Sequence, residues 1–247
     1  GTAIIFPAVT FPMLYWSGIR PYYLFIISAP VISLIAAFNL TLFYCWVVVL
    51  IIVLILGQPK LRTGIFLFFF NVGFGTLSTV IWDKLYFHQK ERIFTFLDPT
   101  RDPQGAGYQI LQSITAIGSG GLTGKGFGQG SQTHLRFLPV RDTDFIISVI
   151  GEEHGFIGIC IVLFLFFVML YWMIVHARKM SNRYSSFTIM GFSSIIFIHL
   201  IVNMGMVIGL LPVTGLPLPF ISYGGSFLLS MVFIIGITNN LINNDLE

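Results

Sequence analysis

No long apolar run of this chain contains an acidic residue. Of its ten Asp and Glu, eight fall between Asp83 and Glu153, and Asp245 and Glu247 close the chain. Ionisable groups inside a bilayer are costly and mark ion or proton pathways, so none is expected here. Charge of either sign is scarce, at 9% of residues, against about 25% in a soluble domain. The net charge of +3 comes without a basic run, so no nucleic-acid partner is expected. Cysteine is nearly missing: Cys45 and Cys160 lie far apart in apolar runs. Neither a disulfide framework nor a thiolate metal site is expected, and both read as small packing residues. A signal peptide would need a basic n-region, and the chain instead enters an apolar run directly after Gly1-Thr2. That start, without methionine, reads as a fragment lacking its natural N-terminus. Internal repeats and low-complexity linkers are absent too, so residues 1–247 read as a single membrane domain.

What is present is hydrophobic: 55% of residues and a mean hydropathy of +0.88. A helix crosses the hydrocarbon in about 20 mostly apolar residues. Candidate spans cover residues 2–16, 22–38, 40–56, 65–82, 156–175, 187–211 and 222–241. The expected fold is an all-α membrane protein, a polytopic bundle of about seven transmembrane helices. One long extracytoplasmic loop, 83–155, would carry short helices. Tyr15, Trp16, Tyr22 and Tyr23 flank one boundary as an aromatic belt would, as do Trp82, Tyr86 and Phe87 at another. Short-loop cations sit on alternate connections: Arg20; Lys60 and Arg62; Arg178, Lys179 and Arg183. The positive-inside rule makes those connections cytoplasmic. The long loop is then outside and the C-terminus inside.

Within the long loop, residues 117–132 read IGSGGLTGKGFGQGSQ, with seven glycines from Gly118 to Gly130. Such a stretch could converge backbone N–H groups on an anion, as phosphate nests do. It could equally be a flexible or re-entrant loop using glycine only for turns. Lys125 lies inside it, with Arg136 and Arg141 following. Neither a P-loop nor a dinucleotide fingerprint fits: Ser119 and Gly126 break the first, and Thr123 the second.

Next comes RFLPVRDTDFIISVIGEEHGFIG, residues 136–158. After Pro139 the apolar run starts at Phe145, so Thr143 or Asp144 stands where an N-cap belongs. A helix from there puts Asp144, Ser148 and Glu152 on one face. Asp144 could act as a general base towards a sugar hydroxyl while cations stabilise a departing diphosphate. Alternatively it only caps the helix, and Glu152 only pairs with Arg141. Gly151/Gly155 and Gly205/Gly209 both have small-xxx-small spacing, the second suited to close helix packing. His199, the lone histidine in a span, is expected to hydrogen-bond a neighbouring helix. Residues 210–226, LLPVTGLPLPFISYGGS, hold three prolines and three glycines, too irregular for a plain helix. Such backbone survives at membrane depth only when buried in protein or lining a wet cavity; it is expected to face the long loop across that cavity.

Three stretches resemble the SEDS family (shape, elongation, division and sporulation) of RodA, FtsW and SpoVE. They are LDPTRDPQGAGYQILQSITAIGSGGLTGKG (97–126), FLPVRDTDFIISVIGEEHGFIG (137–158) and, from Asn203, NMGMVIGLLPVTGLPLPFISYGGS. Gly1-Thr2 is similar to the end of the family's QPDLGT element. GAGYQ and GKG lean towards the elongation branch, whereas Val140 and Asp142 stand where many members carry Glu and His. The resemblance implies an inverting glycosyltransferase in the bacterial cytoplasmic membrane. It would polymerise lipid II, a polyprenyl-diphosphate-linked disaccharide peptide, into glycan for cell-wall elongation and cell shape. Its essential aspartate, in LPxxxTDF, falls on Asp144. Lys125, Arg136 and Arg141 are expected to hold the donor, with Gly120, Gly121, Gln109, Glu152, Ser222 and Tyr223 as further substrate contacts. No metal-ligand cluster is evident, although a diphosphate could bring a divalent ion with it. Expected partners are a class B penicillin-binding protein and other elongation-complex membrane proteins, with lipid tails entering between spans. The rival readings are a lipid II flippase, and a non-catalytic scaffold of the elongation or division machinery.

Overall fold

The computed structural model describes residues 5–101, 105–131 and 143–246. Among them all regular structure is helical: α1 (Ile5–Trp16), α2 (Pro21–Ala36), α3 (Leu40–Gly57), α4 (Leu61–Thr76), α5 (Ser78–Lys84), α6 (Phe87–Leu97), α7 (Ala106–Gly120), α8 (Ile146–Lys179), α9 (Arg183–Val207) and α10 (Gly225–Leu246). A short 3-10 turn, Pro99–Arg101, precedes α7. Four helices are long and apolar enough to cross a membrane: α3, α8, α9 and the Gly225–Asp245 portion of α10. The other three expected spans correspond to shorter apolar helices of 12, 16 and 16 residues, namely α1, α2 and α4. The span expected at 65–82 is divided, because the helix stops at Leu77 and restarts at Ser78.

The chain forms two compact units. One comprises residues 14–90. There α2 starts with Pro21 in its first turn, where the missing N–H costs nothing. Asn39 caps α3, its Oδ1 accepting from the N–H of Thr41 at 3.0 Å and Leu42 at 3.4 Å. Trp46 Nε1 donates to Ser33 Oγ at 2.7 Å, which ties α3 to α2. Gly57 lies against the Tyr22 ring and Gly75 against Phe43, both too close for a side chain.

The other unit comprises residues 1–13 and 91–247. Here α7 packs on α8, α8 on α9, and α9 on α10. One buried hydroxyl joins three of these helices: Ser113 of α7 donates to the Val207 carbonyl of α9 at 2.6 Å and accepts from Ser148 of α8 at 2.7 Å. Gly205 does not serve helix–helix packing as its spacing suggests; a side chain there would strike Leu211 of the following irregular segment.

The feature that organises this unit is a break in α8. Gly155 is non-helical, at φ 66° and ψ −163°, so the carbonyls of Glu152 and Glu153 lose their normal partners four residues on. The glycine stretch replaces them. Lys125 N donates to Glu152 O at 2.9 Å and Gly126 N to Glu153 O at 3.0 Å. In return Phe156 N donates to Gly121 O at 2.9 Å and Ile157 N to Leu122 O at 3.1 Å. Glycine is required on both sides, since a Cβ on Gly124 would meet the Glu153 carbonyl and one on Gly155 would meet Gly124 N and Leu122 O. Over this segment the stretch is a strand-like splice into the helix. Beyond the break, residues 156–179 continue as helix.

Gly155→Ala is therefore expected to destabilise the protein by about 3 kcal/mol, from the left-handed backbone and the collision together. Gly118, helical, exposed and with nothing near its missing Cβ, should tolerate Ala with unchanged or slightly raised stability. Thermal unfolding in detergent checks both; equal midpoints for the two variants would contradict the splice.

Candidate functional site

Asp144 lies in the turn of residues 143–145 ahead of α8. It is not the cap: Phe145 occupies the N-cap position, without a side-chain capping bond. The apolar run begins at Phe145, which is only 1% exposed, and the helix itself starts one position later, at Ile146. Ser148 and Glu152 share the buried face of α8, both fully buried.

The turn is gripped through its carbonyls. Asn203, fully buried in α9, donates through Nδ2 to Asp144 O at 2.9 Å and to Leu216 O at 2.7 Å. Ser222 Oγ donates in a short hydrogen bond to Thr143 O and accepts from Leu218 N at 2.7 Å. The irregular segment thus touches the loop directly instead of facing it across a cavity. Gly215, at φ 69°, comes so near that a Cβ there would stand 3.4 Å from Asp144 Oδ2. One turn of α9 above Asn203, His199 Nδ1 lies 3.3 Å from Pro217 O. Its partner is this segment, not a neighbouring helix.

Burial pushes the Asp144 carboxyl above its ordinary value near 3.8, and a hydrogen bond with the Thr143 side chain works weakly against that. Desolvation favours the neutral acid, so the carboxylate that remains at neutral pH is a stronger base than a surface aspartate.

Lys125 turns inward. Its Nζ is 2.8 Å from Glu152 Oε1 and 2.9 Å from Ser131 Oγ, with the ammonium side chain 29% exposed and the glutamate fully buried. Glu152 therefore pairs with Lys125; Arg141, the expected partner, lies outside the described residues, as do Arg136 and Asp142. The N–H groups of Gly124, Lys125, Gly126 and Gln129 all donate to protein carbonyls. Four donors of the expected phosphate nest are thus already engaged. Gly120 is pressed against the Gly151 carbonyl and Gly121 ends α7 with φ 58°. Gln109, half-buried, lies in the first turn of α7, whereas Tyr223 is 79% exposed. Ser222, expected as a substrate contact, has its hydroxyl engaged as donor and acceptor within the fold. Asn203 and Gly215 were not singled out as site residues from sequence. The available signal was an amide in a span four residues after His199, followed by a Pro-Gly segment.

A helical multi-pass membrane protein that holds a half-buried carboxylate between a spliced helix head and an irregular proline-rich segment is the class these features define. The chain belongs to the FtsW/RodA/SpoVE family: the family model, described as "Cell cycle protein", matches residues 39–246. That match begins at the start of α3, well upstream of the three recognisable stretches. Among curated relatives, peptidoglycan glycosyltransferase MrdB of Escherichia coli K12 is 44% identical over 163 residues, covering 66% of this chain and 44% of that protein. Stage V sporulation protein E of Bacillus subtilis is 46% identical over 151 residues, covering 61% and 41% respectively. A probable peptidoglycan glycosyltransferase FtsW from Geobacter sp. M18 is 35% identical over 232 residues, 92% of this chain and 60% of that one. The chain thus spans less than two thirds of each. A chain of a solved peptidoglycan synthase complex shares the fold, with a TM-score of 0.56 at 23% identity over 98% of this chain and 82% of that one.

Lys125→Met removes the ammonium from beside a fully buried carboxylate and should cost about 3 kcal/mol. Desolvation then raises the Glu152 pKa. A raised pKa adds stability below the unfolded value, and that stability is lost as pH rises through the folded one. The variant should therefore be weaker at pH 8 than at pH 5. Adding Glu152→Gln should recover most of the loss; thermal melts at both pH values report it, and additive single effects would exclude the coupling.

Proposed function

We propose that this chain is the membrane core of a peptidoglycan glycosyltransferase that polymerises lipid II for cell-wall elongation and cell shape. The observation that carries the reading is the Asp144 turn: one half-buried carboxylate, fixed through its backbone and lying against Gly215. The names of the relatives support it, since those from Escherichia coli and Geobacter are peptidoglycan glycosyltransferases or probable ones.

In this mechanism the acceptor sugar hydroxyl gives its proton to Asp144 as its oxygen bonds to the anomeric carbon of the donor. The bond from that carbon to the diphosphate oxygen breaks, and its electron pair leaves with the diphosphate. Attack opposite the leaving group inverts the anomeric centre. Arg136 and Arg141 balance the diphosphate charge. Lys125, 29% exposed, adds its charge while still paired with Glu152, and Gln109, Gly120, Gly121 and Tyr223 border the substrate. The polyprenyl tail stays in the bilayer between helices, and any divalent ion enters with the diphosphate.

The proposed topology has seven crossings: α1, α2, α3, α4 with α5, residues 156–179, α9 and α10. Residues 156–179 make about 36 Å of helix at 1.5 Å per residue, enough for the hydrocarbon core. The loop 83–155 is then the extracytoplasmic catalytic part of one domain in the bacterial inner membrane, with the C-terminus inside. The working partner is a class B penicillin-binding transpeptidase within an elongation complex.

A flippase would need a polar path through the spans. Four polar residues in or beside the spans instead serve their own fold: Asn39 caps α3, Asn71 Nδ2 donates to Leu67 O at 2.8 Å, and His199 and Asn203 hold the irregular segment. That supports transferase over transporter.

Asp144→Asn keeps the shape but cannot take a proton, and a general base contributes typically 10²–10⁴-fold. Polymerisation of labelled lipid II by the full-length protein with its partner should fall by about that factor. In the unsubstituted protein the acid limb of the rate should lie above the usual aspartate range, because the base must be ionised and burial opposes ionisation. A near-normal rate for the variant would leave Asp144 structural and favour the scaffold reading.

For topology, cysteine introduced at Phe127, which is 86% exposed, should react from outside with an impermeant reagent, and cysteine at Met180 should not, in a background without Cys45 and Cys160. The reverse pattern would invert the assignment.

A further inference from the structure

Two consecutive carbonyls, those of Thr143 and Asp144, each receive a side-chain donor from a different part of the fold. Asn203 reaches Asp144 O and Leu216 O with its two amide hydrogens, at 2.9 and 2.7 Å. This fixes the reactive turn relative to the residue after Gly215. Ser222 repeats the arrangement one residue back, linking Thr143 O to Leu218 N through a single hydroxyl. Asn203 Oδ1, by contrast, is buried with no hydrogen-bond donor among the described residues. A buried acceptor without a donor is unfavourable, and an apolar residue of similar volume would remove that defect. The amide is therefore a poor choice for packing alone. What it supplies, and leucine cannot, is two N–H groups from one nitrogen.

We propose that Asn203 and Ser222 are positioning residues, a carbonyl clamp that sets both the aim and the hydration of the Asp144 carboxylate. The proposal rests on the reading of Asp144 as general base. Neither side chain is asked to touch the donor or acceptor sugar. Each acts through the backbone of 143–144, holding the carboxylate against Gly215 and limiting its access to bulk water. A carboxylate at position 203 would face both carbonyls with acceptors only, so the clamp requires the amide. Among the described residues, the titratable groups on elements packed around the turn include His199 of α9, Glu152 of α8 with its partner Lys125, Glu153 and His154 further along α8, and the exposed Tyr223.

The test uses the full-length protein with its transpeptidase partner and fluorescent lipid II, measuring kcat, KM and the pH profile. Asn203→Leu and Ser222→Ala each remove one arm, and Ser222→Thr keeps the hydroxyl. Misplacing a reacting group by about 1 Å costs about 10²-fold. Accordingly kcat should fall about 10- to 100-fold in the first two variants, with KM for lipid II nearly unchanged. The acid limb should also move down towards the ordinary carboxylate range, as the released carboxylate gains water. Ser222→Thr should restore most of the rate and the original limb. Should Asn203→Leu fail to fold, the two Ser222 variants decide alone. A loss confined to KM would make Ser222 a substrate contact and overturn the clamp. So would a fall in kcat with an unmoved limb, or wild-type behaviour in folded variants. Failure of the underlying reading is separate: near-normal polymerisation by Asp144→Asn, or an acid limb that persists in its residual activity, removes the base itself.

Discussion

Four backbone hydrogen bonds between residues 121–126 and the break at Gly155 determine where everything around Asp144 can lie. A helix broken in mid-length leaves two donors and two acceptors without partners, each a penalty if buried. The glycine stretch provides all four partners, and its geometry forces the head of α8, residues 146–154, to sit on α7. The Ser113 hydroxyl then locks α7 and α8 to the end of α9. From there the chain enters the irregular segment, which returns to the Asp144 turn through Leu216, Leu218 and Ser222. The closed circuit of loop, helix head, α9 and irregular segment has the carboxylate at its junction.

The electrostatics follow the same plan. Of the ionisable groups in this circuit, Glu152 is fully buried and is met by Lys125, as a buried carboxylate requires. Asp144 receives a different treatment. Its carbonyl is satisfied by an amide, and its carboxyl is left half in water with its pKa raised by burial. One carboxylate is neutralised to hold the backbone together; the other is held in place so that its protonation state can change. Environment, and not residue type, separates the two roles.

Hydropathy made the long helices legible. Residues 40–56, 156–175, 187–211 and 222–241 all lie within or overlap helices that are long and apolar enough to cross a membrane. Boundaries near glycine and proline moved. The run at 187–211 stops as helix at Val207, and the one at 65–82 is cut at Leu77. The Asp144 turn was visible from Pro139 and the onset of the apolar run, but its role as N-cap was not correct. The break in α8 could not be seen, because GEEHGFIG continues helical spacing and only backbone pairing with a segment some thirty residues earlier makes Gly155 left-handed. The same non-local pairing hid the occupation of the nest donors and the approach of Lys125 to Glu152. Ser222 was expected to touch substrate, and Asn203 stood only at the start of the third family-like stretch. Their meaning lies in carbonyls distant in sequence, which no periodicity reports.

The splice also has a consequence for the way the protein is made. Synthesis runs from α7 through the glycine stretch to α8, so the segment that repairs the helix exists before the helix that needs it. A ribosome-bound chain can therefore present Gly121 and Leu122 carbonyls as Phe156 and Ile157 emerge, and closing the loop between the two parts is an entropic demand that grows only slowly with its length. Helix 156–179 can then enter the lipid with the backbone at its broken end already paired, instead of carrying bare polar groups to the hydrocarbon edge. Reversing the order of these segments, as a circular permutation would, keeps every native contact but makes the defective helix arrive first.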